Sequence, residues 1–353
     1  MLFQLPSDDV LYTALVERDP SYEGLAFVGV KSTGVFCRLI CPARNPRREN
    51  VAFYDTVAAC LESGFRPCKR CKPMDPIGEP DPAVKKLLEA VDQQPERRWY
   101  EADIVRMGYD PSTIRRRFKR RFGLSFLEIA RLRRVGSAAE KLASGGRVID
   151  AQLDAGFDSG SGFRAAITKL LGQAPAKLRG RDILRADWIE TPIGQMLGIA
   201  DPHALHLLEF VDRPALPKEI KRLQKRSGAA ISIGRYDPID GIEAELRVYF
   251  DGNPDGFKTR LAKFGTDFQE RVWHLLRTIP LGETRSYSGL AESMDKPSAT
   301  RAVARANGAN QIAIVIPCHR VIGANGDLTG YGGGLWRKRW LLQHEHRMIE
   351  NQR

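Results

Sequence analysis

No stretch of the chain approaches the roughly eighteen consecutive apolar residues of a membrane-spanning helix, which excludes a span of that kind. The opening MLFQLPSDDVLYTALVERD lacks a basic segment followed by an apolar one, so it does not read as a secretory signal. The expected compartment is the cytoplasm, where thiols stay reduced. Cysteine is scarce, with six residues in 353, and unevenly placed: five fall within the first 71 positions and the sixth is Cys318. Negative charge is also short, with 43 Asp and Glu against 55 Lys and Arg and a formal net charge of +12. By segment the balance is +1 for residues 1–78, +7 for 79–184, −1 for 185–262 and +5 for 263–353. Two separated basic segments point to a polyanion, most often nucleic acid. The plainer reading is the solvated surface of a basic protein. A chain of this length exceeds one ordinary core and implies two to four domains.

The N-terminal region contains STGVFCRLICPARNPRREN and GFRPCKRCKP. Three residues separate Cys37 from Cys41, two separate Cys68 from Cys71, and 26 lie between the pairs. Each short knuckle offers two thiolates, so two knuckles suit one tetrahedral Zn2+. A redox CxxC is the alternative, but it has no need of a second pair. Cys60 belongs to neither pair and is expected as a small buried apolar side chain. Arg38, Arg44, Arg47, Arg48, Arg66, Lys69 and Arg70 crowd these cysteines. Such cations either attract phosphate beside a reactive thiolate or merely balance a tetrathiolate zinc site of net charge about −2.

The stretch FVGVKSTGVFCRLICPARNPRRENVAFYDTVAACLESGFRPCKRCKP resembles the N-terminal domain of the Ada family of bacterial DNA repair proteins. The resemblance implies one zinc ion on Cys37, Cys41, Cys68 and Cys71. It further implies that Cys37 takes a methyl group from a backbone methylphosphotriester, with Thr33, Arg44, Arg66 and Arg70 near the phosphate. Leu39 departs from the family pattern, which has proline there, but it is not a ligand.

Pro73, Pro76, Gly78, Pro80 and Pro82 mark a linker. Helical periodicity follows, with breaks at Gly108 and Gly123. In DPSTIRRRFKRRF a turn and a hydroxyl cap precede an apolar stripe of Ile114, Phe118 and Phe122. The other faces carry Arg115, Arg116, Arg117, Lys119, Arg120 and Arg121. A short basic helix after a turn suits the second helix of a helix-turn-helix. A weaker copy follows in VIDAQLDAGFDSGSGFRAAITKLLG, where Gly156-Phe157 corresponds to Gly108-Tyr109. Its obvious cations are Arg164 and Lys169, and its glycine-rich turn DSGSG is expected to be loose. Tandem units of this kind resemble the AraC family of transcription activators. Arg115, Arg116 and Arg117 of the first copy are the expected DNA contacts, against the alternative of an ordinary bundle with a basic solvated face.

TPIGQMLGIADPHALHLLEF alternates like strands and resembles the N-terminal half of the alkylguanine-DNA alkyltransferases, a supporting subdomain without reactive residues. Reactive groups return in IAIVIPCHRVIG, which reads as a buried strand ending at Cys318. A thiolate is a soft nucleophile suited to a methyl carbon. His319 can accept its proton and needs an orienting partner to do so. A cysteine hydrolase or an inert core thiol is the alternative. The segment from GTDFQERVW to LLQHE resembles the active-site domain of the same alkyltransferases. That resemblance implies a relay from Cys318 through water and His319 to Glu345, with Asn310 bracing the active-site turn. Tyr287 and Tyr331 then lie near a flipped nucleotide, and Arg301 enters the stack that the base vacates. Arg305 is an extra cation for a phosphate. His344 and His346 read as a surface helix end.

The resemblances together imply a multidomain α+β protein. A small zinc-bound α/β domain spans 1–78 and an all-α tandem helix-turn-helix domain spans 79–182. An α/β alkyltransferase follows, with a ribonuclease H-like subdomain over 183–262 and a helical, winged-helix-like active-site subdomain over 263–353. The implied activity is single-turnover methyl transfer from O6-methylguanine or O4-methylthymine to Cys318 and from phosphotriesters to Cys37. Methylation of Cys37 would turn the protein into a transcription activator. The implied partners are double-stranded DNA and RNA polymerase, with the protein monomeric. An AraC-like regulator with a purely structural zinc domain is one competitor; a repair protein with no regulatory output is the other.

Overall fold

The structure, a computed structural model, describes residues 5–350 except 20, 21, 25, 75–80, 123, 172, 173, 254 and 255, and except the side chains of Arg120, Leu170 and Leu171. Pro76, Gly78 and Pro80 of the expected linker and the break at Gly123 lie outside the described residues.

The N-terminal unit packs helices α1 (Asp8–Glu17) and α2 (Val57–Glu62) with strands β1 (Phe27–Val30), β2 (Val35–Arg38), β3 (Val51–Tyr54) and β4 (Arg66–Pro67). The sheet order is β3-β1-β2-β4, antiparallel around β1 and parallel between β2 and β4. Gly29 in the middle of β1 leaves room for two rings: a Cβ there would lie 2.8 Å from Phe65 and 2.9 Å from Tyr54. Cys60 is fully buried against Phe27 and Phe36, as expected of a packing thiol.

Six helices follow: α3 (Pro82–Gln93), α4 (Glu101–Arg106), α5 (Pro111–Phe122), α6 (Phe126–Ala143), α7 (Val148–Asp154) and α8 (Gly160–Leu171). The sequence repeat is a backbone repeat. α4 ends in Gly108 at φ 86°, where Gly108 N–H reaches the Val105 carbonyl and Tyr109 N–H reaches Ile104. α7 ends in Gly156 at φ 62°, where Gly156 N–H reaches Leu153 and Phe157 N–H reaches Gln152. Both are the same left-handed helix stop, which glycine adopts without a Cβ penalty. Each unit has its own core, one around Ile104, Ile114, Phe118 and Phe126, the other around Ala151, Phe163 and Ile167. α6 joins them, opened by a Ser125–Glu128 capping box.

Strands β5 (Ile183–Ile189), β6 (Met196–Ala200), β7 (Leu205–Phe210) and β8 (Ala230–Ile233) form a sheet of order β7-β6-β5-β8, with α9 (Leu216–Ser227) and α10 (Asp237–Phe250). α6 lies on this sheet so closely that a Cβ at Gly136 would sit 2.9 Å from the Ile233 carbonyl. Arg133 of α6 donates to both oxygens of Asp187 at 3.0 and 2.9 Å in a fully buried pair, and Arg235 shares that carboxylate at 3.0 Å. The last unit comprises α11 (Asp267–Thr278), β9 (Arg285–Ser286), α12 (Tyr287–Glu292), α13 (Thr300–Gly308), β10 (Val321–Ile322) and α14 (Leu335–Glu350). One core cluster runs from Ile189 and Phe210 of the sheet through to Cys318 and Leu341, so the two subdomains fold as one body.

Three local expectations change. The segment before Cys318 is not a strand: only Ile312 bridges to Leu208 of β7, and the chain then coils through Ile314 at φ 71°. The Asn310 side chain organises that coil, so its backbone groups are bonded without a ladder partner. The DSGSG turn is not loose, because Ser159 Oγ accepts Gly162 N–H at 3.1 Å and caps α8. His344 is not at the surface: it is 8% exposed, with Nε2 2.8 Å from the Tyr249 carbonyl, whereas His346 is half-buried.

Candidate functional site

β2 delivers Cys37, the following turn delivers Cys41, and β4 leads into Cys68 and Cys71. Their four sulfurs all lie within 4.8 Å of one another. The surrounding backbone is not symmetric. Arg38 N–H donates to Cys71 Sγ and Arg70 N–H to Cys68 Sγ, each at 3.4 Å, and Cys41 is bonded by the Ala43 backbone. Cys37 alone of the four receives no backbone N–H among the described residues. Thr33 and Arg66 sit together at the end of the sheet, where Arg66 N–H meets the Gly34 carbonyl. Arg44, Arg66 and Arg70 are exposed, and among the described residues their side chains carry no ion pair. Arg38 differs, being bound to Glu23 at 2.8 Å.

The candidate DNA contacts on α5 fall into two groups. Arg117 is held by Asp81 at 2.9 and 2.8 Å, and Arg115 by Glu101 at 2.5 Å. Arg116 is exposed and carries no ion pair among the described residues; its nearest bond is a long one, 3.5 Å, to Thr113. Arg121 is turned away and bound to Glu190 of the neighbouring sheet unit. In the second copy Arg164 and Lys169 are exposed.

Cys318 opens a short turn over residues 318–320 and is 7% exposed. Asn310 Nδ2 donates to Cys318 Sγ at 3.2 Å and to the Ile316 carbonyl at 2.9 Å. His319 is fully buried, with Nε2 2.8 Å from Glu345 Oε1. Its Nδ1 has no protein partner. A carboxylate at Nε2 places the ring proton there and leaves Nδ1 as an acceptor. Burial holds His319 below its ordinary pKa of 6.5, against the opposing Glu345 charge, so it is neutral at pH 7. Burial alone would raise Glu345, but hydrogen bonds from His319 and Arg320 and the Arg320 charge hold it well below the usual carboxylate range. The Cys318 thiol is pushed up to about 11 by burial, with the Asn310 bond pulling the other way. Tyr287 starts α12 and donates to the Thr329 carbonyl at 3.4 Å, and the Tyr331 ring lies edge-on to His319 at 6.4 Å. Arg301 and Arg305 are exposed one turn apart on α13.

Three domain families match the chain: the metal binding domain of Ada over residues 10–74, a helix-turn-helix domain over 105–181, and the DNA binding domain of 6-O-methylguanine DNA methyltransferase over 267–347. The bifunctional transcriptional activator/DNA repair enzyme Ada of Escherichia coli (strain K12) is 33% identical over 344 residues, covering 96% of either chain. The chain belongs to the Ada family. Its C-terminal half is also similar to the methylated-DNA–protein-cysteine methyltransferase of Mycolicibacterium paratuberculosis, 57% identical over 159 residues, which cover 45% of this chain and 90% of that one. Among solved structures, Mycobacterium tuberculosis OGT in complex with DNA is 41% identical over 47% of this chain and 94% of that one, with a TM-score of 0.41. The methylated N-ADA/DNA complex is 32% identical over 36% and 98%, with a TM-score of 0.29.

The Ada-family metal site fits these residues. Zinc–sulfur bonds of about 2.3 Å at tetrahedral angles need sulfurs about 3.8 Å apart, which the cluster admits. Four thiolates are a donor set that selects zinc over harder ions.

Part of the Cys318 site leaves little signal in the sequence. Arg320 grips Glu345 at two points, 2.8 and 2.9 Å, and Tyr249 donates to it at 2.9 Å, so three residues orient one carboxylate. Arg320 directly follows His319, a signal within the motif itself. Tyr249 comes from α10 and gave no local sign. Lys338 lies among Arg337 and Arg339 on α14. It is fully buried, bonds the Val321 and Thr329 carbonyls at 2.5 and 2.6 Å, and is lowered to about 8 by burial. Its charge favours the Cys318 thiolate. The supporting subdomain also takes part. Arg213 donates to the Gly308 and Asn310 carbonyls at 3.1 and 3.3 Å and is itself held by buried Glu209 and Glu219.

Proposed function

We propose that this protein repairs alkylated DNA by irreversible methyl transfer to its own cysteines and that one of these transfers switches on transcription. Cys318 takes the methyl from O6-methylguanine, and from O4-methylthymine. The thiol proton passes through water to His319 Nδ1, an S–CH3 bond forms as the methyl–oxygen bond breaks, the departing base anion takes a proton from solvent, and His319 later returns its proton to solvent. A thioether is a poor leaving group, so each site acts once. The observation that carries this reading is the buried Cys318–Asn310 contact beside a neutral histidine whose outer nitrogen is fixed by Glu345 and whose inner one is free. Tyr287 and Tyr331 flank the entering nucleotide, and Arg301 stands where it can fill the stack.

Cys37 is the acceptor for methylphosphotriesters. Bound zinc supplies the charge that keeps the four sulfurs as thiolates. An N–H···S bond draws charge from a thiolate, so the sulfur without one is the most nucleophilic. Cys37 meets that condition, and Arg44, Arg66, Arg70 and Thr33 hold the phosphate. Methylating Cys37 takes the site from about −2 to about −1, which lessens repulsion from DNA. Arg115, Arg116 and Arg117 of α5 then contact the promoter. RNA polymerase as the recruited partner, a monomeric state, a cytoplasmic location and domain limits near 78, 182 and 262 belong to the same proposal.

The test is promoter binding before and after methylation of Cys37. Methylated protein should bind tighter, and more so at low salt. Equal affinities across a salt series would reduce the zinc unit to a structural role and favour the AraC-like regulator.

A further inference from the structure

The two helix-turn-helix units leave a cavity of about 420 Å³ between them. Its walls come from the start of α4 (Arg98, Trp99, Tyr100), one face of α6 (Arg131, Arg134) and the turn into α8 (Phe157, Asp158, Ser159). Three guanidinium groups converge there, and their partners are few. Arg98 reaches exposed Asp158 at 3.4 Å, a weak surface pair. Arg131 is exposed and has no ion pair among the described residues. Arg134 is only 8% exposed, its Nε has no partner, and no carboxylate meets it among the described residues. What it touches is the Phe157 ring, 5.7 Å from guanidinium carbon to centroid, and Arg131 lies over the same ring at 5.8 Å. A second buried donor on the same wall, Trp99 Nε1–H, also lacks an acceptor among the described residues.

This arrangement is unfavourable as it stands. A buried cation without a counter-charge is costly, and neighbouring cations add to the cost. Burial, then Arg98 and Arg131, hold Arg134 below its ordinary pKa. Elsewhere in the same helix the chain solves this problem differently: Arg133, the adjacent residue, is buried with Asp187 and Asp92. Arg134 faces away from that network into the cavity, and no acid is supplied for it. The groups are donors only, in a planar fork geometry that matches an oxyanion.

We infer that this cavity is a phosphate site, built by Arg98, Arg131 and Arg134, that takes one backbone phosphate of the bound DNA. The inference rests on the reading that the tandem units bind promoter DNA. The start of a unit's first helix crosses the backbone and the start of its recognition helix enters the groove. The cavity lies between those two ends, α4 of the first unit and α8 of the second. A strand passing from one recognition helix to the other would meet it. Free phosphate carries the same chemistry and is the other source.

The test uses the full-length zinc-bound protein with Arg134→Met, Arg131→Ala and, as a control on the exposed face of α5, Arg116→Ala. Binding to double-stranded promoter DNA is measured across a salt series, and thermal unfolding is measured with and without inorganic phosphate. Loss of one charge-assisted contact should weaken DNA binding roughly ten-fold or more. It should also make the dependence of log K on log salt shallower by about 1. Without DNA, Arg134→Met should unfold no lower than wild type, because it removes an unpaired buried charge. A purely structural arginine would instead lower it. DNA affinity and salt slope unchanged in Arg134→Met and Arg131→Ala, while Arg116→Ala weakens binding, would overturn the site and leave the promoter reading standing. No promoter binding by wild type would overturn that reading. In that case, stabilisation of wild type but not of Arg134→Met by inorganic phosphate would keep the anion site and reassign it to free phosphate.

Discussion

The two cysteines proposed as methyl acceptors are almost equally covered, Cys37 at 8% and Cys318 at 7% exposure, yet they sit in opposite kinds of surroundings. Around Cys37 are three more sulfurs and the exposed Arg44, Arg66 and Arg70, which carry no ion pair among the described residues. Around Cys318 are a histidine, a carboxylate held at several points and an asparagine on the sulfur. The difference follows the leaving groups. A phosphotriester releases a phosphodiester anion, a weak base that needs no proton, so the site need only hold an anion and present an ionised sulfur. A guanine leaves from a worse position. The second site must therefore ionise a thiol that burial keeps protonated. On the proposed function, one chain would make a thiolate in two ways, by metal charge and by a buried proton acceptor.

Removing zinc with a chelator should break the comparison most completely. Methyl uptake at Cys37 should vanish with loss of the N-terminal fold, since zinc binding is folding energy in such small units. Uptake at Cys318 should persist, as mass spectrometry would report. Replacing the buried base comes next. His319→Gln should slow uptake at Cys318 by about 10²- to 10⁴-fold and leave Cys37 unaffected. The pH profiles should separate too. In wild type the proton moves from Cys318 to neutral His319 without leaving the protein, so the rate should be flat near neutrality. It should fall only in acid, below the ordinary 6.5 of histidine, because burial lowers His319. In His319→Gln the thiol must lose its proton to solvent, and the rate should climb with pH toward about 11. A flat profile in that variant would exclude the relay.

A smaller effect should come from the supporting subdomain. Arg213→Met frees the Gly308 and Asn310 carbonyls and should slow Cys318 by about 10- to 100-fold without moving its pH profile. The smallest separates the repeated units. Arg116→Ala should weaken promoter binding about ten-fold and Arg164→Ala less, in anisotropy titrations at fixed salt.

Much of this was legible in the chain. The spacing of Cys37, Cys41, Cys68 and Cys71 already points to four sulfurs on one ion. The paired Gly108-Tyr109 and Gly156-Phe157 announce the same helix stop twice. What escaped was whatever depends on distant packing. The apolar run before Cys318 has strand composition, but Asn310 bonds its backbone groups and makes a coil. Lys338 and Arg134 sit in basic helical sequence that reads as surface, and only the fold buries them. Glu209 and Arg213 lie in a subdomain with no reactive grouping of its own. Their role exists because β7 meets the 308–312 turn across the subdomain boundary.

On the proposed function, one chain carries two independent methyl-accepting cysteines. Intact-mass spectrometry with peptide mapping, after incubation with DNA methylated on both phosphate and guanine, tests it directly. One methyl is expected on Cys37 and one on Cys318, with Cys37→Ala and Cys318→Ala each losing only its own. A methyl on Cys318 alone, with zinc still bound, would contradict it.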